Sequence, residues 1–140
     1  MKKIIYSLLL ALITLNISGI GNPPSLTVQI DTMENNVLYY KIFNKSGALM
    51  EEAFWKDGKN IGIFIRYHDN GVLAQQFNFD EQGRRVGKQK YFFENGEERL
   101  AGRWANGKMD GRIVWYTEEG EIQSSISRND GAADKRITNF

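Results

Sequence analysis

The chain has 140 residues, and its 41% hydrophobic and 12% aromatic content is enough for one ordered domain rather than a disordered tail. It contains no cysteine, which excludes a disulfide framework, a thiolate metal site and a cysteine-linked lipid. The 18 basic and 17 acidic residues nearly cancel and are interspersed, so the basic stripe that nucleic acid requires is missing and no nucleic-acid partner is expected.

Residues 1–21 read as a unit apart. Lys2 and Lys3 precede an apolar run from Ile4 to Leu15, and the small residues Ser18, Gly19 and Gly21 follow. A basic start, an apolar centre and a small-residue end make a cleavable signal peptide. The run is shorter than the ~20 apolar residues of a spanning helix. The pattern predicts export to the periplasm or beyond, with cleavage after Gly21 and Gly19 as the alternative; an uncleaved anchor is the competing reading. Removing residues 1–21 takes two of the 18 basic residues and none of the 17 acidic ones, leaving a formal charge of −1.

Residues 22–39 form a leader and capping strands. Asn22-Pro23-Pro24 is extended, Leu26 to Asp31 is a strand, and Glu34-Asn35-Asn36 turns the chain into a second strand, Val37 to Phe43.

Residues 40–140 repeat. Phe43, Tyr67, Phe92 and Tyr116 each stand four residues before a glycine: Gly47, Gly71, Gly96 and Gly120, at spacings of 24, 25 and 24. A second glycine follows each anchor at Gly58, Gly83, Gly107 and Gly131, and a third at Gly62, Gly87 and Gly111. Self-similarity at this period marks a repeat array. After each anchor, alternate positions sort by polarity. One row holds Leu49, Ala53 and Trp55; Leu73, Phe77 and Phe79; Leu100 and Trp104; Ile122 and Ile126. Period-two alternation predicts strands with one buried and one wet face, which Met50 and Phe54 break. Asp57-Gly58 and Asn106-Gly107 are hairpin turns, and the one extra residue before Gly83 calls for a longer turn or a bulge. The return strands run over 61–67, 86–92 and 110–116. Tyr67, Phe92 and Tyr116 are expected to stack along the array, and the third glycines to let a neighbouring strand or ring approach. The last unit is degenerate, with Lys135 where its third glycine would stand and Ile137 and Phe140 closing the end. The predicted fold is all-β: an elongated antiparallel meander of about four 24-residue hairpin repeats and about ten strands, in a single twisted open sheet.

Gly107-Lys108-Met109-Asp110-Gly111 followed by Arg112-Ile113-Val114-Trp115-Tyr116, with the matching segments from Gly58 to Tyr67 and Gly83 to Phe92, resembles the MORN-repeat superfamily. The likeness is strongest to the bacterial MORN-variant repeats of the YwqK antitoxin type, and it covers residues 40–131. It implies an elongated sheet used for protein or membrane contact. The antitoxin label implies a binder that neutralises a toxin, which an exported chain would meet in the envelope, as an immunity protein does.

No catalytic constellation, metal-ligand set or cofactor motif is present, so the expectation is a non-catalytic protein without cofactor. His68 beside Asp69 suggests a base and its orienter, but no nucleophile accompanies them, and a polar turn residue is the simpler reading. Asp69, Glu94, Glu118 and Glu119 read as solvated turn acids. Trp55, Phe79 and Trp104 share one repeat position. They are either core or an exposed ladder for a partner protein or a sugar. Arg66, Lys88, Lys90 and Arg112 lie on return strands among acids. The expected function is an exported repeat protein binding another protein, antitoxin- or immunity-like. The alternative is an adaptor at a membrane surface or envelope, binding lipid or glycan.

Overall fold

In a computed structural model, residues 11–15, 26–129 and 132–138 are described. They form β1 (Ala11–Leu15), β2 (Leu26–Thr32), β3 (Leu38–Phe43), β4 (Leu49–Lys56), β5 (Lys59–Tyr67), β6 (Leu73–Phe79), β7 (Gly87–Phe92), β8 (Glu98–Ala105), β9 (Lys108–Tyr116), β10 (Ile122–Asn129) and β11 (Ala132–Thr138). All eleven strands lie in one sheet in chain order, each antiparallel to its neighbour. This is the predicted open meander. Ten strand spacings of about 4.8 Å give a sheet roughly 48 Å across. The rest of the expected signal peptide, Gly131 and Phe140 lie outside the described residues; within the signal segment, β1 pairs with β2.

The turns follow from their residues. Asp57-Gly58 and Asn106-Gly107 each close a two-residue hairpin, with φ of 47° and 81°, then 51° and 82°. Positive φ at both positions suits the right-handed twist of the flanking strands. The anchor turns share another geometry, in which the first residue bonds to the fifth and the anchor glycine donates back to the first. It occurs at Asn44–Ala48, His68–Val72, Phe93–Glu97 and Thr117–Glu121. The extra residue before Gly83 converts the β6–β7 hairpin to this same form, Asp80–Arg84.

Each anchor turn is followed by a β-bulge. Phe43 pairs with Leu49 but Ile42 with Glu51, so Met50 is extra; Ala74, Arg99 and Gln123 are the extra residues of the next three units. A bulge adds one residue to one strand and breaks the two-residue alternation. The expected continuous row is therefore split. Leu49, Leu73 and Ile122 pair with the recurring aromatics on one face, while Ala53, Phe77, Trp104 and Ile126 lie on the other. Met50 broke the pattern because it is the bulge, and Phe54 because it packs on Tyr39 at 5.0 Å on the opposite face.

Two further expectations are corrected. Tyr67, Phe92 and Tyr116 do not stack, because they end β5, β7 and β9, two strand spacings apart and beyond ring contact. Rings pair instead across adjacent strands, Phe64 on Phe77 at 5.6 Å and Phe77 on Tyr91 at 4.9 Å. Gly62 and Gly87 do stand opposite Phe79 and Trp104, but a methyl group at Gly87 would meet nothing within 4 Å. Their φ of 63° and 69° is what calls for glycine.

Most of the core lies on one face, while Ile61, paired with Phe54, is buried on the other. Ala53, Phe64 and Phe77 are buried across β4 to β6, with Tyr40, Phe79 and Tyr91 packed against them. Further along, Trp104 and Ile113 are buried against Gly102. The β6–β7 ladder is short, and the fully buried Gln89 bridges the gap. Its Oε1 accepts from Asn78 N at 3.3 Å, and its Nε2 donates to Asn78 O and Val86 O at 3.0 and 2.8 Å.

Candidate functional site

The bulges and turns shape a cleft of about 670 Å³ over β7 to β10, on the core face. Alternation brings Tyr91 from β7, Leu100 and Trp104 from β8, and Met109 and Trp115 from β9 to its lining. The bulge position adds polar groups that strict alternation would not deliver: Arg99 and Gln123. The β6–β7 turn adds Arg85, and the anchor turns add Phe93, Thr117 and Glu118; Tyr116 completes the rim. A cavity of this size, in which aromatic and polar side chains are mixed, suits a ligand or partner site.

Two guanidinium groups converge on Tyr91. Arg85 Nη1 donates to the Tyr91 hydroxyl at 3.2 Å, while its Cζ lies 4.2 Å from the centre of the Phe77 ring. Arg99 Cζ lies 5.6 Å from the centre of the Tyr91 ring. Cation–π contact stabilises each by about 0.5–1 kcal/mol where water still reaches it. Among the described residues neither arginine makes an ion pair. Two other arginines are ion-paired: Arg66 with Glu51, and Arg84 with Asp80 at 2.8 Å.

The three expected ladder residues do share a register. Trp55 stands opposite Asn60, Phe79 opposite Arg85 and Trp104 opposite Met109. Their surroundings differ. Trp55 is 37% exposed, Phe79 is half-buried against Phe64 and Phe77, and Trp104 is 6% exposed on the floor of the cleft. The ladder is thus not one surface, and of the three only Trp104 reaches the cleft. Sequence reasoning missed Arg85, Tyr91, Arg99, Trp115 and Gln123 as a group. The repeat spacing carried a signal, since Met50, Ala74, Arg99 and Gln123 recur at the anchor period, but alternation hid it.

His68 has a structural contact: its Nε2 donates to Phe92 O of the next unit at 3.0 Å. Among the described residues no group of three or more metal-capable side chains comes together. On the other face, Lys88, Lys90, Arg103 and Arg112 line a hollow of about 400 Å³ with Glu98, which is ion-paired to Lys90. Lys88 stands directly opposite Arg103.

The perturbed tyrosines lie in the first half of the sheet. Burial first, then the hydroxyl's bond to Glu52, pushes Tyr39 and Tyr67 above the ordinary tyrosine value. Burial and the bond to Glu51 push Tyr40 up likewise. Asp80 is held low by the backbone N–H of Arg84, with the Arg84 side chain and the Gln82 N–H acting in the same sense against the opposing desolvation.

Residues 61–81 match the MORN repeat variant family. The chain carries a MORN-variant repeat. The matched segment begins in β5, passes through the His68–Val72 turn with its bulge at Ala74, and ends just past β6. The same turn and bulge geometry recurs at Met50, Arg99 and Gln123, so the turn-and-bulge unit is repeated along the sheet. A comparison with curated proteins found no match.

Proposed function

We propose that this chain is an exported, non-catalytic β-repeat protein that docks another protein on the cleft over β7 to β10, in the manner of an antitoxin or immunity partner. The carrying observation is the lining itself: Trp104, Trp115 and Tyr91 with Arg85 and Arg99. Trp, Tyr and Arg are the residue types that dominate binding hot spots, above all in well-packed pockets. The basic start and apolar run of residues 2–15 support export. The test is affinity capture from envelope extract with the C-terminally tagged full chain, produced with its own leader, beside a Trp115→Ala variant. A single stoichiometric partner, lost in the variant while the sheet stays folded, is the expected result. A toxic or hydrolytic partner would support the immunity role, and a partner retained by the variant would remove the cleft from it.

A second reading rests on the opposite face. Like charges directly across a sheet are destabilising, and Lys88 faces Arg103 with neither in an ion pair among the described residues. That hollow favours an anionic surface, as an envelope adaptor would need. Flotation with phosphatidylglycerol vesicles tests it, and a chain that stays at the bottom of the gradient ends it.

A further inference from the structure

We propose that the cleft recognises an acidic segment of the partner protein, with Arg85 and Arg99 receiving its carboxylates and Trp104 and Trp115 forming the apolar floor. This rests on the cleft being the docking site.

The repeat supplies its own control. The position of Arg99 is occupied in the other units by Met50, Ala74 and Gln123, all neutral. The position of Arg85, opposite Phe79, corresponds to Asn60 opposite Trp55 and Met109 opposite Trp104, again neutral. The fold therefore does not require a cation at either place. Both substitutions fall in the one region where the cleft forms, and both cations meet the same ring, Tyr91.

Their geometry suits a carboxylate. A guanidinium has five N–H donors in a planar fork, and the side-chain bond of Arg85 to the Tyr91 hydroxyl uses one. Its cation–π contact with Phe77 restrains the group. A carboxylate accepting two parallel N–H bonds is the matching ligand, and a lysine-type point charge would not give that match. Among the described residues no carboxylate is in ion-pair contact with either group, although Arg66 and Arg84 each have one. Glu118 also lines the cleft, from the β9–β10 turn, and its negative charge opposes an acidic ligand at that end.

The test uses the full chain carrying Trp55→Phe, so that the remaining tryptophans, Trp104 and Trp115, report from the cleft. The probes are the peptide acetyl-Phe-Asp-Glu-Asp-Phe-amide and its Asn/Gln counterpart, titrated while tryptophan emission is followed. The acidic peptide is expected to give a saturable change that weakens with salt, and the amide counterpart to bind about tenfold more weakly or worse. Arg85→Gln and Arg99→Gln should each bring the acidic peptide toward the amide value. Arg66→Gln, a cation already paired elsewhere, should not. Melting temperatures of the variants separate lost binding from lost folding. Equal binding of the two peptides would overturn acid recognition and leave the docking reading standing. No saturable change with either peptide, alongside a captured partner that still depends on Trp115, would overturn it equally, whereas loss of that dependence removes the docking site itself.

Discussion

Asn70 Nδ2 donates to the main-chain oxygen of Glu94 at 2.8 Å, and one unit on Asn95 Nδ2 donates to Glu118 O at the same distance. Each asparagine also accepts within its own turn, Asn70 Oδ1 from Val72 N and Asn95 Oδ1 from Glu97 N, both at 3.0 Å. One side chain thus shapes a turn and ties it to the turn of the next unit. A repeat protein is stabilised by such neighbour terms. Asn70→Asp keeps the acceptor and loses the donor, and it sets a negative charge against a carbonyl. The expected loss is about 0.5–1.5 kcal/mol, read from urea unfolding. An unchanged midpoint would show that the clasp is only a packing coincidence.

Gln89 substitutes for missing ladder bonds between β6 and β7, so its amide should behave as backbone does. Gln89→Leu leaves Asn78 N and Val86 O without these partners in a buried site. A loss of about 2–3 kcal/mol is expected, with faster hydrogen exchange concentrated at Asn78. Uniform acceleration over the whole sheet would argue for a global rather than a local role.

Gly102 is a glycine that close packing demands. A Cβ there would lie 2.5 Å from Ile113 Cδ1 and 3.0 Å from Trp104 Cζ3. Gly102→Ala is expected to destabilise by about 1–3 kcal/mol through overpacking. Adding Ile113→Val removes the nearest atom and should recover part of that loss in thermal melts. No recovery would place the strain on Trp104 instead.

The ladder residues should separate by burial. Trp104→Ala is expected to destabilise by about 3–5 kcal/mol, because a large buried side chain leaves a cavity. Trp55→Ala, at 37% exposure, should fall well below that. Equal denaturant midpoints for the two would contradict the difference in environment.

The tyrosines predict alkaline behaviour. Tyr39, Tyr40 and Tyr67 hold their protons in the folded sheet above the ordinary value of 10.0. Below pH 10 they are protonated in both states, and their contribution is fully present. Above it the unfolded chain loses these protons first, so stability falls as pH rises toward the folded values. Ultraviolet titration should show these hydroxyls ionising late, together with unfolding. Early, reversible ionisation in the intact fold would refute the burial and the carboxylate bonds together.

The anchor glycines, the Asp-Gly and Asn-Gly hairpins and the aromatic spacing announced an all-β array, because turn chemistry is local and each residue type carries its own backbone preference. The strand expected over Leu26 to Asp31, observed as Leu26–Thr32, and the Glu34–Asn36 turn were legible for the same reason. Which face each side chain takes was not. It depends on the bulges at Met50, Ala74, Arg99 and Gln123, and a bulge is a property of two paired strands rather than of one. That register split Leu49 from Ala53, buried Trp104 while leaving Trp55 open, and turned Arg99 toward Tyr91. The local sequence determined the repeat and its turns; the pairing of one strand with the next decided where the cleft lies and which charges meet in it.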